Sequence, residues 1–123
     1  MFEVAVRDVV ERYIKTLNAK DAEALSSVLH FPHFRIMPDG VTHNWTTPQE
    51  LWSWFQNRVS SDGWDHTILD NVAVNELTPK KYHAEVKFGR YRLDGSLIGS
   101  YYSLYVITLE NGNWGIKAGS GTG

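Results

Sequence analysis

The most chemically suggestive stretch of the sequence is HFPHFRI, residues 30–36, in which two histidines flank a Phe-Pro pair and an arginine follows. His30 and His33 are three positions apart, a spacing that would place two metal ligands on one face of a helix. Pro32 lies between them and cannot occupy a helix interior, and the three other histidines show no ligand spacing. We therefore expect no metal ion here, and we expect no cofactor.

As a β-strand, the same stretch has two possible orientations. Alternation would put His33 and Arg35 on one side and Phe34 and Ile36 on the other. In the first orientation the two apolar side chains enter the core and Arg35 meets an acid at the surface. In the second, His33 and Arg35 point into the interior. We favour the first, but short strands fix their facing weakly, so the second stays open.

Four residues are candidates for acid–base chemistry. Histidine can exchange a proton near neutral pH, and arginine or tyrosine can polarise an oxygen atom. If the interior holds an active site, the candidate catalytic residues are His33 or His66 as the base and Arg35 or Tyr91 as the polarising group. For His66, which follows Asp65 at the start of a predicted strand, exposure to solvent is the competing interpretation and the one that we favour.

The composition indicates one globular domain over residues 1–123, with 42% hydrophobic and 21% charged residues. The net charge is −2 and no lysine or arginine run occurs, which disfavours nucleic acid as a partner. The absence of cysteine excludes thiol catalysis and cysteine-ligated zinc. No apolar run approaches the roughly 20 residues of a membrane span, and Glu3, Asp8 and Glu11 interrupt the N-terminal segment. We expect a cytoplasmic protein with no membrane partner.

Three helices are predicted in the first half of the chain. Apolar residues at helical spacing predict an amphipathic helix over residues 2–18. Asp21 is suited to cap a second, shorter helix over residues 22–29. The sequence TPQE predicts the start of a third helix over residues 48–59, because its threonine can cap, its proline suits the first helical position and its glutamate completes a capping box.

Strands are predicted where apolar runs lie between turn residues. They cover residues 34–37, 41–45, 64–77, 81–93, 96–110 and 113–120. Asp94-Gly95 and Asn111-Gly112 are hairpin turns in which both central residues tolerate positive φ. This order predicts an α+β fold, in which three N-terminal helices pack on a curved, mainly antiparallel β-sheet and form a cone with a pocket between the layers.

The predicted pocket is lined from the helix faces and from the inward phase of the strands. The predicted ligand contacts are Tyr13, Leu17, Trp52, Phe55, Trp114, Ile116 and Ser120. Ser120 is included because it shares the strand phase of Trp114 and Ile116. For Tyr13 a place in the core, and for Ser120 a plain strand end, are the competing interpretations and the ones that we favour.

Residues 100–109, SYYSLYVITL, are apolar on both faces of their strand, with Leu104 and Val106 on one side and Tyr105 and Ile107 on the other. An antiparallel sheet that is wet on one side should alternate. The helical layer covers one face, so the pattern predicts that a second copy of the chain covers the other, in a homodimer through the outer sheet face.

Four segments resemble the nuclear transport factor 2-like superfamily in its SnoaL-like, ketosteroid isomerase-like branch: VRDVVERYIKTLNAKDAEAL, LHFPHFRI, FGRYRLDGSLIGSY and NGNWGI. The resemblance covers nearly the whole chain and is closest to members with no assigned activity. It implies a cystatin-like cone and agrees with a homodimer. Where ketosteroid isomerase carries its base carboxylate, this chain has approximately Met37, and Asp39 is displaced into the following turn.

Three functions remain open at this point. The main interpretation is a protein that binds a small hydrophobic organic molecule in an aromatic pocket. The first alternative is a cofactor-independent SnoaL-like isomerase, dehydratase, cyclase or hydrolase that uses general acid–base catalysis. The second is a non-catalytic dimeric scaffold whose pocket is filled by its own aromatic side chains. A buried ionisable group in the pocket would favour the enzyme.

Overall fold

The computed structural model describes residues 1–123, with two α-helices, one short 3₁₀ helix and six β-strands. In chain order the elements are α1 (Glu3–Ala19), the 3₁₀ helix (Glu23–Ser27), β1 (Leu29–Ile36), β2 (Thr42–Trp45), α2 (Pro48–Ser60), β3 (Trp64–Thr78), β4 (Lys81–Arg92), β5 (Leu97–Glu110) and β6 (Asn113–Gly121). The strands form one sheet in the order β2-β1-β6-β5-β4-β3, in which β1 and β6 are parallel and all other neighbours are antiparallel. The predicted α+β fold with a mainly antiparallel sheet is confirmed.

The second of the three predicted helices is wrong. Residues 22–29 form only the five-residue 3₁₀ helix Glu23–Ser27, and the chain is already in β1 at Leu29. The N–H of Ile116 on β6 donates to the carbonyl of Val28 at 2.9 Å. Pairing with the sheet therefore competes successfully with continuation of the helix.

β1 is longer than the predicted strand over residues 34–37. It pairs with β6 at Leu29 and again from Phe34 onward, with a shift of register between these positions. Pro32, which has no N–H to donate to a neighbouring strand, lies in this interruption. The proline therefore interrupts the ladder locally without ending the strand.

The start of α2 follows the capping chemistry that the sequence predicts. The Thr47 hydroxyl oxygen accepts a hydrogen bond from the N–H of Glu50 at 3.2 Å. The Glu50 carboxylate accepts in return from the N–H of Thr46 at 3.1 Å, one residue earlier than in a standard capping box. Two unpaired N–H groups at the start of the helix are satisfied in this way.

Each of the four long strands begins and ends within one residue of its predicted bounds. At the last turn both Asn111 and Gly112 have positive φ, at 52° and 78°. At the preceding turn only Gly95 has positive φ, and the Asp94 carboxylate accepts from the N–H of Ser96 at 2.9 Å. The expectation of two positive-φ residues therefore holds for one of the two turns.

The core lies between α1 and the inner face of the sheet. α1 packs chiefly on β3 and β6. Its buried side chains are those that the helical spacing singles out: Val6, Val9, Val10, Tyr13, Ile14 and Leu17. On β4, Tyr82, Ala84, Val86 and Phe88 are buried in strict alternation, which defines the inner face of the sheet. No helix of the protein is long and apolar enough to span a membrane.

The outer face of the sheet is partly apolar. Leu104 and Val106 on β5 are half-buried there, and Phe34 and Ile36 on β1 are exposed on the same face. The predicted homodimer through this face stays a prediction, which the mass of the protein in solution would test.

Asn18, at the C-terminal end of α1, holds the helix to the edge strand β3. Its Nδ2 donates to the carbonyl of Thr67 and its Oδ1 accepts from the N–H of the same residue, both at 2.8 Å. Because β3 has no strand partner on its outer edge, this side chain supplies the hydrogen bonds that a further strand would make. Thr67 is only 3% exposed, so water cannot readily replace them.

We expect Asn18→Ala to lower the free energy of unfolding by about 1–3 kcal/mol, because it leaves a buried donor and a buried acceptor unpaired. Urea unfolding followed by circular dichroism measures this change. The matched control is Asn75→Ala on the exposed part of the same strand, which should change the stability by less than about 0.5 kcal/mol. Equal effects of the two substitutions would contradict this role for Asn18.

Candidate ligand site

β1 presents His33 and Arg35 to the interior, which is the orientation that the sequence analysis did not favour. His33 is 0% exposed, whereas Phe34 and Ile36 are 37% and 47% exposed on the outer face. The preferred expectation, with Phe34 and Ile36 in the core, is therefore wrong. The choice of face is not local to the strand, because it is set by the pairing of β1 with β6.

A glycine on β6 makes room for Arg35. Gly119 is the partner of Arg35 in the ladder. A Cβ atom at this position would lie 3.1 Å from Cδ1 of Tyr105 and 3.4 Å from Nε of Arg35. A larger side chain would push against both residues, so the guanidinium occupies space that the absence of a side chain leaves.

His33, Arg35 and Tyr13 form a continuous hydrogen-bonded chain in the interior. Nε of Arg35 donates to Nε2 of His33 at 3.0 Å, and its Nη2 donates to the hydroxyl of Tyr13 at 2.7 Å. Nδ1 of His33 lies 3.0 Å from the carbonyl of Ile116. Since a carbonyl only accepts, the proton of His33 is on Nδ1, and Nε2 is left as the acceptor for Arg35.

His33 is held in its neutral form. Burial of the ring, followed by the positive charge of Arg35, lowers the pKa of His33 to about 3. Its lone pair on Nε2 is already engaged by Arg35. This histidine is therefore well placed to orient the guanidinium and poorly placed to take a proton from a ligand.

Aromatic rings enclose the Arg35 guanidinium. Its Cζ atom lies 5.5 Å from the ring centroid of Tyr13 and 5.4 Å from that of Tyr105, and the two rings meet edge to face. Burial raises the pKa of Tyr105 to about 12, so its hydroxyl stays protonated at neutral pH. Both rings provide cation–π attraction to the guanidinium.

A second arginine, Arg90, enters the same interior from β4. The alternation that buries Phe88 continues through Gly89, so Arg90 returns to the inner face. Its Cζ lies 4.7 Å from the ring centroid of Tyr101, 5.6 Å from that of Phe88 and 5.8 Å from that of Phe55. Burial lowers the pKa of Arg90, as expected for a charge that has lost part of its hydration.

The open space in the cone is small. There are two voids, of about 10 and about 20 Å³, and a single water molecule needs about 10–15 Å³. Both voids are lined by Tyr13, Leu17, Arg35 and Phe55. Trp52 and Trp54 of α2 close the smaller void, and Arg90 borders the larger one. The side chains of α2 therefore cover the polar centre of the cone.

The predicted contacts divide into two groups. Tyr13, Leu17, Trp52 and Phe55 do line the voids, together with Arg35. Trp114, Ile116 and Ser120 do not line them.

Each of the three remaining contacts has another environment. Ile116 is fully buried in the core, and Trp114 packs against the rings of Phe2 and Tyr82. Ser120 is exposed and pairs with Leu104 on the outer face. The cause is a bulge at Lys117, which reverses the phase of β6 after Ile116.

His66 and Tyr91 do not join the interior group. They are paired across β3 and β4, and their rings stack at 5.4 Å on the face opposite to Arg90. Nδ1 of His66 lies 2.9 Å from the carboxylate of Asp65, since a bulge at this point brings the two neighbours together. The structure therefore separates the two predicted catalytic residues of β3 and β4 from His33 and Arg35.

His30 has a structural environment of its own. Its Nε2 lies 3.0 Å from the carbonyl of Thr108 and 3.1 Å from that of Asn113, across the β5–β6 hairpin. No three histidine, cysteine, aspartate or glutamate side chains of the chain are grouped as metal ligands would be.

A wider open groove, of about 540 Å³, lies outside the cone beside α1 and the β5–β6 turn. Its charged groups already have partners: Nε of Arg12 lies 2.8 Å from the Asp8 carboxylate, and the Glu110 carboxylate lies 4.0 Å from Nζ of Lys117. The groove is larger than the voids of the cone, but it holds no charge without a partner that a ligand would satisfy.

The interior group includes residues that are not among the contacts predicted from the sequence, and Arg90 is the most important of them. Counting from Phe88 in steps of two predicts that Arg90 faces inward. The same step from Ile107 places Tyr105 and Ser103 inward, and both line the larger void. Alternation therefore indicates that these side chains face inward, but a glycine within a strand, here Gly89, leaves the facing of the residues after it uncertain from sequence.

We expect the stability that His33 contributes to depend on pH. The unfolded chain binds a proton near pH 6.5 and the folded chain binds it only near pH 3, so this contribution is complete above pH 6.5 and is lost as the pH falls from 6.5 towards 3. In His33→Gln, which keeps a donor for Ile116 and an acceptor for Arg35, this loss is absent. The stability difference between the two proteins should shift by about 2 kcal/mol in favour of the variant between pH 7 and pH 4.5.

Urea unfolding at the two pH values measures this shift, and the exposed carboxylates cancel because both proteins contain them. A His33 ring signal in NMR spectra that titrates near pH 6.5 would contradict the assignment of a neutral, buried imidazole. His33→Gln identifies that signal by its disappearance.

The comparisons with known proteins agree with this architecture. The model of a family described as NTF2-like protein (DUF6841) matches residues 3–121. No protein of curated function matches the chain. Among solved structures, the chain is similar to an NTF2-like protein of unknown function from Shewanella oneidensis MR-1, with a TM-score of 0.79, 10% identity and 100% of both chains covered.

Two further solved structures are similar to it. One is an NTF2-like protein from Cytophaga hutchinsonii ATCC 33406, with a TM-score of 0.71, 21% identity, and coverage of 95% of this chain and 93% of that chain. The other is an NTF2-like protein with a cystatin-like fold from Novosphingobium aromaticivorans DSM, with a TM-score of 0.73, 16% identity, and coverage of 96% and 79%. At these identities the likeness to the solved structures concerns the fold, and the family model over residues 3–121 confirms the predicted superfamily. The chain belongs to the NTF2-like family.

Proposed function

We propose that this protein binds a small hydrophobic organic molecule inside the cone, between α2 and the inner face of the sheet. One observation carries the proposal: a hydrogen-bonded chain links buried His33 and Tyr13 through half-buried Arg35, and Arg35 and Tyr13 border both voids among apolar and aromatic side chains. Ligand pockets combine an apolar lining with a few fixed polar groups in this way.

The arrangement favours binding over acid–base catalysis. Neither nitrogen of His33 is free to act as a base, and no aspartate or glutamate is buried. By resemblance, Met37 stands approximately where ketosteroid isomerase carries its carboxylate, and Met37 is buried at 8% exposure. Asp39 lies in the exposed turn, where its carboxylate accepts from the N–H of Val41 at 3.0 Å. The interior therefore lacks a proton acceptor of the kind that the enzyme alternative needs.

A ligand can enter the cone only if side chains of α2 move away from the sheet. The two voids together hold no more than one or two water molecules, and Phe55 lies against both. α2 contacts mainly the 3₁₀ helix and β2, at the border of the sheet. Outward rotation of Phe55, with Trp52 beside it at 5.9 Å between ring centroids, would join the voids into one ligand-sized space.

We expect Phe55→Ala to bind small aromatic molecules such as indole or benzyl alcohol at least about tenfold more tightly than the unmodified protein, since it removes the ring that fills the cone. Isothermal titration calorimetry measures the affinities. Phe34→Ala, the same change on the outer face of the sheet, is the control and should leave them unaltered.

Because removal of a buried phenylalanine costs about 3–5 kcal/mol, Phe55→Leu provides a second variant that retains most of the packing. If Phe55→Ala and Phe34→Ala change the affinities equally, the ligand does not enter the cone. If no member of a broad panel of small aromatic and alicyclic compounds binds any of these proteins, the proposed function is wrong.

A further inference from the structure

The interior of the cone contains two guanidinium groups and no aspartate or glutamate side chain, and Gly123 also borders the void that the two arginines share. Arg35 and Arg90 border the same void. All aspartates and glutamates lie outside the buried set, and no carboxylate oxygen is within 4.0 Å of either guanidinium. Charged side chains that enter a protein interior are normally paired with an opposite charge. The missing negative charge is therefore the feature that needs an explanation.

Neither arginine is satisfied by hydrogen bonds within the chain. Arg35 uses Nε and Nη2 on His33 and Tyr13, and the Tyr105 hydroxyl interacts with the same guanidinium. The guanidinium of Arg90 makes no hydrogen bond to any group of the protein and contacts only the faces of aromatic rings. Arginine has five N–H donors, so most of the donors of this pair are available.

The available donors keep accessible surface. No side-chain nitrogen or oxygen that is completely buried lacks a hydrogen-bond partner in this protein. The unpaired nitrogens of Arg35 and Arg90 are therefore accessible, and the two residues, which are half-buried, both line the larger void. Two cationic forks beside one void form a site for a planar anion.

We propose that the ligand is an organic carboxylate, an inference that rests on the proposed function. Its anionic group binds between Arg35 and Arg90, and its hydrocarbon part packs against Leu17, Phe55 and Trp52. The carboxylate accepts from Nη1 of Arg35 and from the free donors of Arg90. The hydroxyl groups of Tyr13 and Ser103, which line the same void, limit the space around it. The proposal concerns reversible binding, in which no covalent bond forms or breaks. The bound carboxylate supplies the negative charge that the interior lacks.

The lining selects an organic acid over an inorganic anion. Besides the two arginines, the larger void is bordered by Thr67, Ser103 and Gly123 and by the apolar or aromatic side chains of Ile14, Leu17, Phe55, Phe88 and the tyrosines 13 and 105. A phosphate or sulfate could accept hydrogen bonds from the arginines, but its remaining oxygens would lose their water against the apolar groups. In a short aromatic or alicyclic acid, the hydrocarbon part gains apolar contact with these side chains, which offsets the lost hydration.

The test compares isosteric pairs of probes that differ in charge. Benzoate with benzamide, and cyclohexanecarboxylate with its carboxamide, have nearly equal size and shape, so a preference for the acid reports the charge. At pH 7 we expect each carboxylate to bind at least about tenfold more tightly than its amide, and inorganic phosphate or sulfate not to bind in the cone. Arg90→Gln and Arg35→Gln should each reduce this preference about tenfold or more. Arg7→Gln, the same change on the exposed face of α1, is the matched control and should keep it.

NMR signals of the arginine side chains report where the anion binds. The Nε–H signals of Arg35 and Arg90 in ¹⁵N NMR spectra, assigned by the loss of each signal in its glutamine variant, should shift on addition of benzoate and stay in place with benzamide. Shifts confined to exposed arginines would place the anion elsewhere and overturn the proposal.

Failure of this inference is distinguishable from failure of the proposed function. If acid and amide bind the cone equally, the pocket function stands and the carboxylate inference is overturned. If no member of any pair binds, both are overturned. A ligand-free measurement is independent of the probes: Arg90→Met should raise or preserve the melting temperature, because it removes a buried charge without a partner. Arg90→Lys keeps the charge and serves as the comparison: a melting temperature of Arg90→Met far below that of Arg90→Lys would show that the charge is stabilised within the chain and would overturn the inference.

Discussion

The parallel pairing of β1 with β6 is the constraint on which the interior depends. It sets the face of β1, and with it the inward direction of His33 and Arg35. The same pairing brings the carbonyl of Ile116 to Nδ1 of His33, which fixes the proton of the ring on that nitrogen and leaves the other to hold Arg35. One ladder contact therefore determines a tautomer, and the tautomer determines the position of a charge. A shift of β1 by one residue would expose all of these groups.

The charges in the cone are a cost to stability that the fold does not offset with acids. Placing a guanidinium in a medium of low polarity is unfavourable by several kcal/mol, and cation–π contacts with tyrosine and phenylalanine return only part of it, about 0.5–2 kcal/mol each. Gly119, which leaves space for Arg35, also gives up the packing that a larger residue would supply. Sacrifices of stability concentrated at one place are typical of functional sites, where residues are kept for binding.

The sequence predicts most of the fold and little of the site, for identifiable physical reasons. α1, α2 and the four long strands follow from periodicity and turn chemistry, which are local. The second helix fails because Val28 is recruited by β6, a contact between distant parts of the chain. The same limit applies to the site: the facing of β1 is decided by its neighbours, and the phase of β6 is reversed at Lys117 by a bulge that no local pattern marks. Arg90 could have been found, since simple alternation from Phe88 places it inward.

The family fold alone would not distinguish a binding protein from an enzyme, because the chemistry of the cone depends on a few inward side chains. In this chain the inward positions hold two arginines, a neutral histidine and two tyrosines, of which Tyr105 stays protonated, and all of these groups donate or are already engaged. An interior that can donate hydrogen bonds but cannot accept a proton is suited to holding an anion and unsuited to starting proton transfer. The side chains of α2 cover the cone and exclude water from it. Exclusion of water would strengthen the attraction between a carboxylate and the guanidinium groups. Charge and closure would therefore act together on a bound anion of the kind proposed here.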